Sequence, residues 1–188
     1  MTHNAPWLRF AFNEWKCIDA IHYITTLKPG ITQYHVSKVF FFADREHLKD
    51  WGRPISGDRY VAMEHGPVPS NIYDILKLND GLPEEVVAYF SERIDQKKQG
   101  NLIHCFPKKD AQFASKYLSE TDKKYLENAL DNYGSKGFGE IKTESHKDVA
   151  YEKAWTAPGL NNEMDLRLWF TESELEEIYE NGPVLRRA

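Results

Sequence analysis

The stretch Val36 to Tyr73, reading VSKVFFFADREHLKDWGRPISGDRYVAMEHGPVPSNIY, constrains the fold more than any other, because it joins the longest apolar run to a turn dense in Gly and Pro. Val36, Val39, Phe40 and Ala43 recur at helical spacing, and Phe41 with Phe42 widens the apolar stripe beyond what a surface helix needs. The pattern predicts a central helix, with Asp44, Arg45 and Lys49 on its other faces and Asp44-Arg45-Glu46 as a solvated edge. Gly52 stands where a left-handed C-terminal cap belongs, and Pro54 forbids continuation. Ser56-Gly57-Asp58 is turn chemistry, after which Tyr60, Val61 and Met63 suit a short strand. Gly66, Pro67 and Pro69 exclude helix, while Ser70 can cap a short one through Tyr73 and Leu76.

Upstream, the segment from Met1 to Ala11 mixes Pro6 with aromatic and apolar residues and reads as a docked arm or a flexible end. Asn13 offers the cap of a helix toward Lys28, with Ile18, Ile21 and Ile24 on its apolar face and Pro29-Gly30 as its stop. Thr32 can cap the central helix, so the two helices form a hairpin over a short loop. Downstream, a helix is predicted over Pro83 to Arg93, broken by Lys97, Lys98 and Gly100, then a short strand over Leu102 to Phe106 and a turn at Pro107-Lys108-Lys109-Asp110. Ser119 with Asp122 forms a capping box for a helix carrying Tyr125, Leu126, Ala129, Leu130 and Tyr133, which Gly134 closes. Phe138 and Ile141 read as the inner face of a following helix, and His146 to Trp155 as another with Ala150, Tyr151 and Ala154 inward. Pro158-Gly159 with Asn161-Asn162 is the clearest linker, and Thr171 with Glu174 caps a last, Glu-rich helix that turns Leu175, Ile178 and Tyr179 inward. The fold class is mainly α (α+β): a compact helical domain with a small short-stranded β element.

The 188 residues suit one domain with a sizeable core. A net charge of -5 argues against a broad grip on nucleic acid, which needs a positive surface to displace counterions. No signal peptide and no apolar run long enough for a bilayer is visible, which points to the cytoplasm and away from a membrane. Cys17 and Cys105 lie far apart in apolar surroundings and read as two buried reduced thiols. Asp44 and His47, one helical turn apart, could meet His65 and His146 in a metal site, yet no HExxH or CxxC spacing supports it; the expected metal and cofactor are none. Cys105 and His104 are adjacent on a strand and point apart, so they make no nucleophile pair. The glycine-rich Gly134–Gly139 follows a helix, where phosphate-cradling loops follow strands. Arg45, Arg53, Asp58 and Arg59 are expected to pin the Gly-Pro turn against the central helix, and Gly57 and Gly66 to supply backbone angles a side chain would forbid. Tyr60 and His65, with Arg53 and Arg45, are the candidate exposed contacts for a partner.

The blocks FFFAD, REHL, GRPISGDRYVAM and HGPVPS resemble the Panacea domain, the SocA-like family of antitoxins. LSETDKKYLENALDNYGSKGFGEI and SHKDVAYEKAW are similar to that family's second block, a capped helix ending in a YG turn and then a segment from His146 to Trp155. The resemblance spans roughly residues 12–157, making Asp44, Gly52, Pro54, Gly57, Asp58, Gly66, Pro67, His146 and Trp155 residues of a structural motif. It implies a Panacea-like domain over 1–157 and an acidic helical extension over 158–188, packed on or beside it. It also implies an antitoxin that neutralises a cognate toxin protein, encoded by the adjacent gene, by binding it and without catalytic residues. The acidic last helix and the aromatic N-terminal segment are candidate contact elements. The alternatives are an adaptor that hands the toxin to a protease, or a metal-dependent enzyme using the His and Asp residues near the central helix.

Overall fold

The structure, a computed structural model, describes residues 7–109 and 115–185; Pro6 and Asp110 lie outside these. Asn13 accepts a hydrogen bond from the Lys16 amide at 2.9 Å and opens helix α1, Glu14–Leu27, whose Ile18, Ile21 and Ile24 are fully buried. The connection to the next helix is more than a loop. Its Ile31–Thr32 is a strand, β1, that pairs antiparallel with a strand seventy residues on. Thr32 caps helix α2, Gln33–Trp51, which ends at Gly52 in the left-handed region with φ 65°.

Helix α2 is more deeply enclosed than an amphipathic stripe implies, since every residue from Val36 to Asp44 is buried. The expected solvated edge therefore needs correction: Asp44 is 1% exposed, and only Glu46 of the three faces water fully. The enclosure arises because α2 meets α5 on one side and the hairpin of β2 and β3 on another.

Strand β2, Tyr60–Met63, pairs with β3, Gly66–Pro69, around the Glu64-His65 reversal. Two prolines hide β3 from a sequence reading, and they are tolerated because β3 is an edge strand, paired on one side with β2. Helix α3, Ser70–Lys77, and helix α4, Glu84–Arg93, follow, the latter starting after Pro83. Strand β4, Ile94–Gln99, then turns at Gly100 into β5, Leu102–Pro107, giving an antiparallel sheet in the order β1-β5-β4. The sequence IDQKKQ reads as a helix break because only its first residue is buried, so the alternation that marks a strand is missing.

Helix α5, Glu120–Tyr133, carries the Ser119–Asp122 capping box in full. Helix α6, Phe138–His146, buries Ile141, whereas Phe138 is 47% exposed and not an inner residue. The helix expected from His146 starts later, as α7, Val149–Thr156, because the Asp148 carboxylate caps the Ala150 and Tyr151 amides at 3.0 Å. After the 158–162 turn the chain lies along β2: Ala62 donates to the Asn162 carbonyl and Met164 to that of Tyr60, both at 2.8 Å. A short 3₁₀ turn, Leu166–Trp169, precedes helix α8, Glu172–Asn181, whose Thr171–Glu174 box forms and whose Leu175 and Ile178 are buried. The result is mainly helical with small antiparallel β elements.

Candidate functional site

The Gly-Pro turn is held from inside by one carboxylate. Asp44 accepts from the Ile55 amide at 2.8 Å, the Ser56 amide at 2.9 Å, the Ser56 hydroxyl and the Tyr60 hydroxyl at 2.7 Å. A short helix-to-strand turn leaves its amides without ladder partners, and a carboxylate projecting from α2 supplies the missing acceptors. Burial pushes the Asp44 carboxyl above the usual carboxylate range even though these bonds pull it down. Asp58 does the same for the next element, accepting from the Asn71 and Ile72 amides at the start of α3 at 3.1 and 2.8 Å. Burial raises its carboxyl to about 6.

Tyr60 is therefore no exposed contact. It is 1% exposed, and both its ring and its hydroxyl are committed to the core, the burial and the neighbouring Asp44 raising its phenol. The β-strand alternation placed it inward, and a polar tip gave no warning because its acceptor comes from α2. The arginines are distributed differently from the expectation as well. Arg53 pairs with Asp122 of α5 at 3.0 Å, Arg45 with Asp148 at 3.3 Å and Glu46 at 2.8 Å, and Arg59 is exposed. Asp122 also takes Lys16 at 2.9 Å; its burial opposes ionisation, but the Ser119 amide and Lys16 hold its carboxyl below the ordinary value. The turn is thus pinned by Asp44, while Arg53 and Arg45 tie α2 and its C-terminal turn to α5 and to the α6–α7 junction. Pro54 is buried beneath them.

Gly57 has φ 72°, and a Cβ there would lie 2.2 Å from the Ala11 carbonyl oxygen, so only glycine fits. Gly66 has φ 101° and would meet Ser145 Oγ at 2.5 Å and Lys38 Nζ at 2.8 Å. That crowding exposes a group the sequence reading passed over. Lys38 is 1% exposed, and its amine donates to the Pro67 carbonyl at 2.7 Å. Burial lowers it to about 7. The sequence offered little signal for it, because the periodicity of VSKVFFF marks an apolar stripe but not how many neighbours enclose the helix. His65 is exposed and lies edge-on to Phe138 at 5.1 Å, while His146 bonds the Tyr151 hydroxyl at 3.0 Å. Trp155 is half exposed and stacks parallel to Tyr151.

His47 bonds the Arg53 carbonyl at 2.8 Å and Thr121 at 3.2 Å, on the α5 side of α2 and away from His65 and His146. Asp44 and the three histidines therefore do not converge, and the described residues contain no group of three or more His, Cys, Asp or Glu able to hold a metal ion. Cys17 and Cys105 are buried free thiols; burial raises both, Cys105 to about 11, which leaves little thiolate for attack. Among the described residues no helix is long and apolar enough to cross a membrane.

These features define a mainly helical α+β domain in which the carboxylates of Asp44 and Asp58 lock α2, the turn and the start of α3 together. The family model of the antitoxin SocA-like, Panacea domain matches residues 36–155, and the chain belongs to that family. The match begins at the first buried residue of the α2 run and ends at Trp155, so it takes in Asp44, Asp58, Gly57 and Gly66 together. Neither the curated proteins nor the solved structures contain a match to the chain.

Proposed function

We propose that the protein is a cytoplasmic antitoxin that neutralises a cognate toxin protein, the product of the adjacent gene, by direct binding. The observation that carries this reading is the family match over residues 36–155, from within α2 to within α7. The chemistry of the site supports it. The buried carboxylates are saturated with donors, the thiols are protonated, and the histidines are dispersed, whereas neutralisation by binding needs only a complementary surface. Of the residues expected to touch the partner, His65 is exposed, and Arg45 and Arg53 keep partly exposed side chains at the rim of α2. The helical segment beyond residue 158 adds an acidic surface on the same domain, with Glu172, Glu176, Glu177 and Glu180 outward.

Expression of the neighbouring reading frame alone and together with this protein tests the proposal. Growth arrest by the neighbour alone, relieved on co-expression, with the two proteins co-purifying, is the expected result. A neighbour that is harmless, or whose toxicity persists, removes the support. Rescue accompanied by loss of the toxin, and abolished in a protease-deficient host, would show delivery to a protease in place of steric blocking.

A further inference from the structure

Next to the β2–β3 hairpin lies a groove of about 370 Å³, walled by Tyr34 of α2, His65 and Val68 of the hairpin, Tyr73 of α3 and Leu102 of β5. Its apolar surface continues past the groove, because the Tyr34 ring lies 4.7 Å from that of Phe138, which in turn meets His65. Leu102, 51% exposed, and Tyr73, 38%, line the depression from two elements, and Phe138, 47% exposed, continues the apolar surface beyond it through Tyr34. Contiguous exposure of this kind marks an interaction surface, whereas single exposed apolar residues do not.

Two lysines, Lys38 and Lys77, and one acid, Glu64, line the groove. The Lys38 amine spends one of three donors on the Pro67 carbonyl and lies over the Tyr34 ring at 5.2 Å from the centroid. Among the described residues Lys38 makes no ion pair. Glu64 is, among the described residues, the one acid lining the groove, against Lys38 and Lys77, so the site is locally basic within a chain of net charge -5.

We propose that this groove seats an acidic side chain of the protein partner, flanked on its own chain by apolar residues, with the carboxylate pairing with Lys38 and the flanking groups covering Tyr34, Tyr73 and Leu102. The inference rests on the antitoxin reading and adds to it the chemistry of the contact. A buried ammonium is costly to leave without an opposite charge, and an incoming carboxylate supplies one while its flanking groups close the groove to water. The same geometry couples binding to protons. Burial holds the Lys38 amine at about 7 in the free protein, and a carboxylate beside it favours the charged form, so binding takes up a proton and weakens as the pH rises. The other ionisable groups facing this region are Tyr34 on α2, Glu64 and His65 on the hairpin, Lys77 on α3, Lys142 and His146 on α6, and Tyr151 on α7. The Lys38→Met variant separates the contribution of Lys38 from all of them.

The test measures binding of the purified product of the adjacent reading frame to wild type, Lys38→Met and Leu102→Asp by titration calorimetry, in two buffers of different ionisation heat. Each substitution is expected to weaken binding at least about tenfold, and Lys38→Met to abolish the proton uptake, with circular dichroism confirming that both variants are folded. Equal affinity of all three proteins overturns the groove while leaving the antitoxin reading intact. Weakening by charge reversal on α8 alone, at Glu176 and Glu180, overturns it in the same way. Failure of the product to bind wild type removes the antitoxin reading. The groove is then decided by a blocked leucine-aspartate-phenylalanine tripeptide at about 10 mM, a level suited to a millimolar contact. Shifts of the Tyr34 and Leu102 resonances that vanish in Lys38→Met sustain the site, and their absence in wild type overturns it.

Discussion

Replacing Asp44 by alanine removes the acceptor from four donors at once. The Ile55 and Ser56 amides and the hydroxyls of Ser56 and Tyr60 all lie within residues no more than 3% exposed, so water cannot take over. The Ser56 hydroxyl also accepts from the Asp58 amide and can reorient, which leaves three donors stranded. Each buried, unsatisfied donor costs about 1–3 kcal/mol. Against this stands relief from holding a carboxylate in a dry site, whose expense is visible in the raised Asp44 carboxyl. The net expectation is a loss of about 3–5 kcal/mol, a large part of the roughly 5–15 kcal/mol that holds a domain folded. Asp44→Asn keeps one acceptor oxygen for the two amides but turns an amino group toward Ser56 and Tyr60, and it should cost about 1–3 kcal/mol. Urea unfolding followed by tryptophan fluorescence reads both values, provided the slopes match that of wild type. An Asp44→Ala protein within about 1 kcal/mol of wild type at an unchanged slope would refute the view that this carboxylate locks the turn.

Three further expectations follow from the same geometry. Gly57→Ala forces a Cβ against the Ala11 carbonyl at a positive φ and should cost about 3 kcal/mol or more, whereas Gly81→Ala, with open space around it, should stay within about 0.5 kcal/mol of wild type in the same assay. Lys38 has a folded-state value near 7 against 10.5, so the unfolded chain binds more protons between those limits and stability rises with pH across them, by up to about 5 kcal/mol. Unfolding between pH 7 and 10.5 should show that slope in wild type and lose it in Lys38→Met, which should also be the more stable of the two at pH 6; identical slopes would remove the claim. Asp58 is raised to about 6 from 3.8, so the folded chain binds more protons in that window and stability falls as pH rises through it, by about 3 kcal/mol. Asp58→Asn should flatten that descent relative to wild type, while the Asp122 carboxyl, shifted the other way, contributes the opposite slope at lower pH in both proteins.

The helices were largely legible because their signals are local. Asn13, Thr32, Ser119 and Thr171 each cap a helix start, and Gly52 closes α2, through bonds that reach no more than four residues along the chain. The left-handed angles of Gly57 and Gly66 were legible for the same reason. Strands β1, β3 and β4 escaped notice for separate reasons: the ladder partner of β1 lies some seventy residues on, β3 is half proline, and β4 buries only its first residue and so lacks alternation.

The chain on its own thus determined its class, its caps, its turn at Ser56-Gly57-Asp58 and its kinship with the SocA-like Panacea domain, since all of these are written in residue type and short spacing. Tertiary structure decided what the polar residues do. Periodicity shows which side of a helix is apolar but cannot show how many neighbours enclose it, and α2 is enclosed from every side between Val36 and Asp44. That enclosure turned Asp44 from a surface charge into the acceptor for the turn, withdrew Tyr60 into the core, and set the Lys38 amine against the Pro67 carbonyl and the Tyr34 ring beside an open groove. Burial fixes the energetic meaning of a charge, and burial is a property of the assembled fold.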